Sequence, residues 1–236
     1  MIFYYIRHGS PIYDPDSLTP LGKRQAEAVG KRLAQAGIDE IYASSSTRAI
    51  ETAKPLSELL GKEINVLDWC NEGYAWQEFT VKREEGTHWV FHDEELVKLL
   101  NSPELINMGF NWYDHPAFAA TKFKAGMERV GKQTSEFLGS LGYRYEPYVG
   151  GYEAVAPNDK HIALFAHEGF SKPFLSCLLG IPCPIFMKMY YNHSGVTAVK
   201  FDNKNGIVYP RVLVYSDCGH LYREGLPMKY NGNLNF

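Results

Sequence analysis

Two histidines stand directly after short apolar runs. Arg7-His8-Gly9 follows Ile2-Phe3-Tyr4-Tyr5-Ile6, and His167-Glu168-Gly169 follows His161-Ile162-Ala163-Leu164-Phe165-Ala166. Such runs predict buried strands. Each imidazole is then delivered just past a strand's C-terminal end, the edge of an open α/β sheet at which ligands bind. If the two strands are neighbours in a parallel sheet, the rings converge on one pocket. Arg7 and Arg48 can add two guanidiniums, whose coplanar N–H donors suit phosphate oxygens. Two arginines and two histidines at one point make a phosphate pocket that needs no metal. Phosphoryl transfer also requires an in-line nucleophile and a proton for the leaving group. A neutral imidazole held in one tautomer can be that nucleophile, and Gly9 lets the backbone approach closely beside it.

The elements that must position these groups are legible around them. Thr19 is a good N-cap and Pro20 suits the first helical position. Leu21, Ala26, Val29 and Leu33 then recur at helical spacing, and Gly37 closes the helix. Residues 40–43 predict a second strand. Residues 44–47 open a helix that carries Arg48 and is interrupted by Pro55, and residues 63–67 predict a third strand. From about 69 to 152 the pattern changes: all four tryptophans, Trp69, Trp76, Trp89 and Trp112, fall there, with helices expected at 93–100 and 117–141. This stretch reads as an inserted helical, aromatic-rich cap, either a small hydrophobic core or an aromatic wall that selects substrate. Helix 170–179 and a closing strand pair at 195–202 and 207–215 complete the α/β pattern, and the tail from 225 to 236 reads as irregular.

Bulk properties narrow the function class. The chain has 236 residues, enough for one sizeable core, so a single domain over 1–236 is expected. A net charge of -3 offers no basic field for nucleic acid. Four scattered cysteines, Cys70, Cys177, Cys183 and Cys218, form no paired motif for zinc or a disulfide framework. No apolar run reaches the length of a membrane span or a signal peptide, so a cytoplasmic protein is expected, with no membrane and no nucleic-acid partner. Oligomeric state is not legible.

The ordered set of motifs resembles the histidine phosphatase superfamily, with its phosphoglycerate-mutase-like fold. It comprises Arg7-His8-Gly9, then Leu18-Thr19-Pro20-Leu21-Gly22, then Ser44 through Arg48-Ala49 with Thr52-Ala53, then His167 with Gly169. The resemblance implies an α/β fold, a three-layer α/β/α sandwich with a mostly parallel central sheet. It implies that His8 is the nucleophile and that Arg7, Arg48 and His167 bind phosphate. The family's proton donor lies after the third strand, where Asn71-Glu72 stands among Trp69, Tyr74 and Trp76. Glu72 would protonate the leaving oxygen and then activate water. Ser10 and Asp14 occupy places where the family often has Glu and Asn. An aspartate repels phosphate unless protonated or turned away, so Asp14 is expected to structure the rim. His193 leads into a closing strand and is a further rim candidate. Glu168 either orients a histidine or faces solvent.

The resemblance thus implies a histidine acid phosphatase-like phosphatase that hydrolyses a small phosphorylated substrate through phospho-His8, with no cofactor and no metal. Two alternatives compete. A cofactor-dependent phosphoglycerate mutase would follow Arg-His-Gly with Glu-Ser and carry a Phe-Thr-Gly-Trp stretch, neither of which is present. A non-catalytic phospholigand-binding protein would have no need of an intact nucleophile. Two other motifs carry nothing. Residues 126–132 nearly spell a phosphate-binding P-loop, but Gln133 replaces the Ser or Thr and no strand precedes it. His88 and His92 have helical metal spacing without a third ligand.

Overall fold

The computed structural model describes residues 1–228, and the expected irregular tail lies outside them beyond 228. The chain enters through β1 (Ile2–Arg7), a hairpin of β2 (Pro11–Tyr13) and β3 (Asp16–Leu18), then α1 (Pro20–Ala36), β4 (Glu40–Ser44), α2 (Thr47–Leu60) and β5 (Ile64–Leu67). The insertion follows: α3 (Glu72–Phe79), a ribbon of β6 (Thr80–Arg83) and β7 (Gly86–Trp89), α4 (Glu94–Leu100), α5 (Pro103–Met108) and α6 (Phe123–Ser140). The chain then forms β8 (Tyr143–Glu146), β9 (Gly151–Ala154), β10 (His161–Ala166), α7 (Glu168–Leu179), α8 (Cys183–Phe186), β11 (Val196–Lys204), β12 (Ile207–Asp217) and α9 (Gly219–Arg223).

Eight strands make the central sheet in the order β5-β4-β10-β1-β11-β12-β9-β8. The first four are parallel, and each of the rest is antiparallel to its neighbour, so six of the eight share one direction. Side chains alternate across the sheet as strand geometry requires. Ile6, Ile41, Ala43, Ala163 and Phe165 meet Val29 and Leu33 of α1 and Ala53 and Leu56 of α2 on one face. Phe3, Tyr5, Ile162 and Leu164 meet Phe137 of α6 and Phe170 and Phe174 of α7 on the other. The expected sandwich is therefore the fold observed.

The region 69–152 is not wholly helical. It carries the β6–β7 ribbon, and β8 and β9 extend the main sheet, with Tyr143 and Tyr152 turned into the core. The helix expected from 117 begins only at Phe123, because Pro116–Phe118 is a separate 3-10 turn. Trp112 is fully buried and shares one hydrophobic cluster with Phe3, Phe123 and Phe174. The P-loop lookalike lies inside α6, and His88 lies on β7, so its spacing to His92 is not helical.

Capping follows the sequence. The Thr19 side chain accepts from the Gly22 N–H at 3.0 Å, and Gly37 takes a left-handed φ of 72°. Gly22 also serves the His8 loop. A Cβ there would lie 2.2 Å from the Ser10 carbonyl oxygen, and one on Gly9 would lie 2.6 Å from the Gly22 carbonyl oxygen. Backbone meets backbone, so α1 begins where the loop after His8 must pass. Gly22→Ala is expected to lower stability by about 1–3 kcal/mol, the usual cost of overpacking, and to reduce activity by displacing that loop. Urea unfolding together with a turnover assay checks both.

Candidate active site

The β1–β10 register pairs Arg7 with Ala166. The next residue of each strand is a histidine, so His8 and His167 leave the sheet side by side. The His8 N–H donates to the Ala166 carbonyl at 2.9 Å, and the two rings lie 5.2 Å apart. On the other flank of β10, β4 ends at Ser44 and α2 opens with Arg48 in its first turn. Beyond β5, α3 opens with Glu72. Four adjacent parallel strands thus bring groups from residues 7, 44, 48, 72 and 167 to one edge of the sheet.

His8 is buried, and its Nδ1 lies 2.7 Å from the Gly9 carbonyl oxygen. A carbonyl only accepts, so Nδ1 carries the proton and Nε2 keeps its lone pair. Burial first, then His167, Arg7, Arg48 and His193, holds the His8 pKa well below 6.5. The ring is neutral at pH 7, as a nucleophile must be. The Nε2 of His167 lies 2.7 Å from Ser44 Oγ. The Ser46 N–H points at that oxygen from 3.4 Å, which leaves the hydroxyl to donate to Nε2. Nδ1 is then the N–H of His167, buried and without a hydrogen-bond partner, available to a phosphate oxygen. Burial and the nearby Arg48 hold this imidazole neutral as well. The Tyr5 hydroxyl pins the His167 backbone: it donates to the His167 carbonyl at 2.6 Å and accepts from its N–H at 3.1 Å.

Both guanidiniums are held by carboxylates. Arg7 pairs with Glu168 at 2.8 Å and donates to the Tyr191 carbonyl. Arg48 reaches Asp16 at 2.7 Å and Glu72 at 3.0 Å and lies 5.4 Å from the centre of the Tyr13 ring. The second oxygen of Glu72 accepts from the Gly169 N–H at 3.0 Å, and its Oε2 lies 3.6 Å from His167 Nδ1. The surroundings of this carboxylate are therefore Arg48, His167 and a helix N–H. Trp69 packs against Phe137 and Phe170, Trp76 packs on Trp89, and the Tyr74 hydroxyl donates to Asp68.

Of the rim candidates, His193 places its ring 5.8 Å from His8, and burial with Arg7 pushes its pKa down to about 2. Ser10 holds the loop through its backbone, its N–H donating to Gln25 and its carbonyl accepting from the Thr19 N–H. Asp14 sits in the exposed β2–β3 turn, and it is Asp16, two residues on, that reaches Arg48. Glu168 is buried and turns to Arg7, with Lys172 at 3.6 Å, rather than to a histidine or to solvent. Sequence reasoning missed Tyr5, Asp16, Ser44 and Lys172 as members of the site. The i,i+4 spacing of Glu168 and Lys172 was the one readable signal among them. Beside Glu168 opens a cavity of about 270 Å³, lined among others by Phe91, His92, Leu100, Lys172 and Tyr190.

The sheet order is that of a phosphoglycerate-mutase-like fold. The histidine phosphatase superfamily (branch 1) matches residues 3–100, a stretch that takes in Arg7-His8-Gly9, Arg48 and Glu72. That match bears out the resemblance carried by the motifs. It is 22% identical over 223 residues to putative phosphoserine phosphatase 2 of Hydrogenobacter thermophilus, spanning 90% of this chain and 96% of that one. Among solved structures it is similar to a phosphoserine phosphatase mutant from Entamoeba histolytica in complex with phosphoserine. There the TM-score is 0.58 at 19% identity, over 93% of this chain and 98% of the other. A mycobacterial glucosyl-3-phosphoglycerate phosphatase in complex with inorganic phosphate also matches with TM-score 0.58, at 17% identity over 93% and 98% of the two chains. At these identities the structural matches speak for the fold. Among the described residues no helix is long and apolar enough to cross a membrane.

The buried imidazoles predict acid sensitivity. Above pH 6.5 His8, His167, His193 and His220 are neutral folded or unfolded, and they contribute no pH dependence. Below 6.5 the unfolded chain takes up protons that the folded chain refuses, so stability falls as pH falls. The loss is about 1.4 kcal/mol per pH unit for each such histidine. For His220, whose pKa burial and then Arg32 push down to about 4, the window runs from 6.5 to about 4. Urea midpoints measured across this range should drop with acid, and His220→Gln should flatten the slope by about one proton.

Proposed function

We propose that this chain hydrolyses small phosphomonoesters through a phosphohistidine on His8, without a metal ion. The observation that carries the reading is the fixed tautomer of His8, whose Nδ1–H is engaged by Gly9, which leaves the Nε2 lone pair free on a ring 5.2 Å from that of His167. The substrate phosphoryl group lies among Arg7, Arg48 and the Nδ1–H of His167. These donors supply the charge stabilisation that a metal supplies elsewhere.

In the first step His8 Nε2 forms a bond to phosphorus as the phosphorus–oxygen bond to the leaving group breaks. Glu72 delivers a proton to the departing oxygen. The positive charge on the phosphorylated ring is shared with the Gly9 carbonyl. In the second step Glu72 takes a proton from water, the water oxygen bonds to phosphorus, and the phosphorus–nitrogen bond breaks. Phosphate and neutral His8 result, so the cycle closes. Arg48 must exchange Asp16 and Glu72 for phosphate oxygens as substrate arrives, which frees Glu72 for proton transfer. Metabolites as small as the phosphoserine bound by the Entamoeba relative fit this reading. The aromatic cavity beside Glu168 gives room for a leaving group with an apolar part.

His8→Ala should abolish turnover of an aryl phosphate measured with chelator present, and should remove the acid-labile phosphoenzyme trapped by rapid quenching. Full activity in that variant overturns the mechanism. Glu72→Gln should slow alkyl phosphates by about 10²–10⁴, the usual yield of general acid catalysis. Aryl phosphates, whose leaving groups need less protonation, should lose much less. The comparison is made in kcat/KM, which reports phosphorylation of His8 and not the later water-activating step, and an equal loss there on both substrates removes the acid role from Glu72.

A further inference from the structure

We infer that the pocket is also an inhibitory binding site for a borderline transition-metal ion of the zinc type, held by His8, His167 and Glu72. One ligand atom from each of these residues lies within 4.8 Å of the other two. Between His167 Nδ1 and Glu72 Oε2 the distance is already 3.6 Å. A tetrahedral zinc ion with ligand bonds of about 2.0–2.1 Å needs ligand atoms about 3.3 Å apart. Small ring rotations and a shift of the Glu72 carboxylate close the remainder. Two imidazoles and one carboxylate are a donor set suited to zinc, copper and nickel, and much less to magnesium or calcium.

Each ligand also has an outer partner of the kind that metal sites use to fix ligand orientation. His8 Nδ1 is tied to the Gly9 carbonyl, His167 Nε2 to Ser44 Oγ, and the second oxygen of Glu72 to the Gly169 N–H. Binding requires the Ser44 hydroxyl to turn and accept from Nε2–H, so that Nδ1 offers its lone pair. A hydroxyl rotates at little cost.

Two arginines beside the ligands do not close the site to a cation. Arg7 is paired with Glu168, and Arg48 with Asp16 and Glu72. Asp16, Glu72 and Glu168 thus balance Arg7, Arg48 and the buried Lys172. His8 Nε2 has a single lone pair, which either attacks phosphorus or binds the ion. Ion and phosphoryl group therefore exclude each other.

The test is titration of the purified, phosphate-free chain with Co²⁺, a coloured substitute for Zn²⁺. We expect visible ligand-field bands that saturate at one ion per chain and are erased by orthophosphate or vanadate. His167→Gln and Glu72→Gln should each weaken binding at least ~10-fold, on the scale seen when even outer partners are lost, with unchanged far-UV circular dichroism. Zn²⁺ should suppress turnover, and a chelator should restore it. His88→Ala should leave the bands unchanged. Absence of the bands, their survival in phosphate, or their loss in His88→Ala overturns the inference. The cobalt spectrum needs no turnover, so this outcome is decided separately from the phosphatase reading.

Discussion

The pairing of Arg7 with Ala166 across two parallel strands is the constraint from which the site follows. It sets His8 beside His167 although 158 positions separate them in the chain. A slip of one residue in that ladder would turn either imidazole to the opposite face of the sheet. The register is protected from both sides. Phe3 and Tyr5 are committed to one hydrophobic cluster and Ile6 to the other, so a slip would expose or clash with all of them. The Tyr5 hydroxyl ties the same strand to the His167 backbone, so a core residue is also a clamp on the site.

Charge in the pocket is arranged in pairs. Each guanidinium that would hold phosphate already holds a carboxylate, Glu168 on Arg7 and Asp16 with Glu72 on Arg48. Buried charges are tolerated only when compensated in this way. The two imidazoles escape the same cost by remaining neutral. Glu168 stays with Arg7 in the interior, whereas Asp16 approaches Arg48 from the β2–β3 hairpin at the surface. One arginine is thus paired in the interior, and the other is shared between two carboxylates, one of them on the hairpin.

Much of this was legible in the sequence because short-range rules govern it. The apolar runs before His8 and His167, the Thr19-Pro20 helix start and Gly37 all depend on local spacing, and each is found where expected. The position of Glu72 after the third strand was readable as well through the resemblance, whereas the helix that it opens was not expected. What was not legible depends on long-range contacts. Nothing local marks Asp16 rather than Asp14 as the partner of Arg48, because the choice is made by the turn between two three-residue strands. Glu168 was open to two roles, orienting a histidine or facing solvent, and it is instead buried against Arg7, which arrives from the other end of the chain. Strands β8 and β9 were absorbed into the tryptophan-rich region, since four-residue strands leave little periodic signal.

The indole of Trp89 rests on Gly169 so closely that a single added methyl at 169 would come within 2.4 Å of the ring. Gly169 also supplies the N–H that holds Glu72. The ribbon and the loop after His167 therefore form an interlocked pair, each cut to the other's outline. Evolutionary drift at one of these two positions must be answered at the other. Grafting a different insertion onto this sheet would require recutting the residue that follows Glu168, so the insertion and the loop that holds Glu72 cannot diversify as independent modules here.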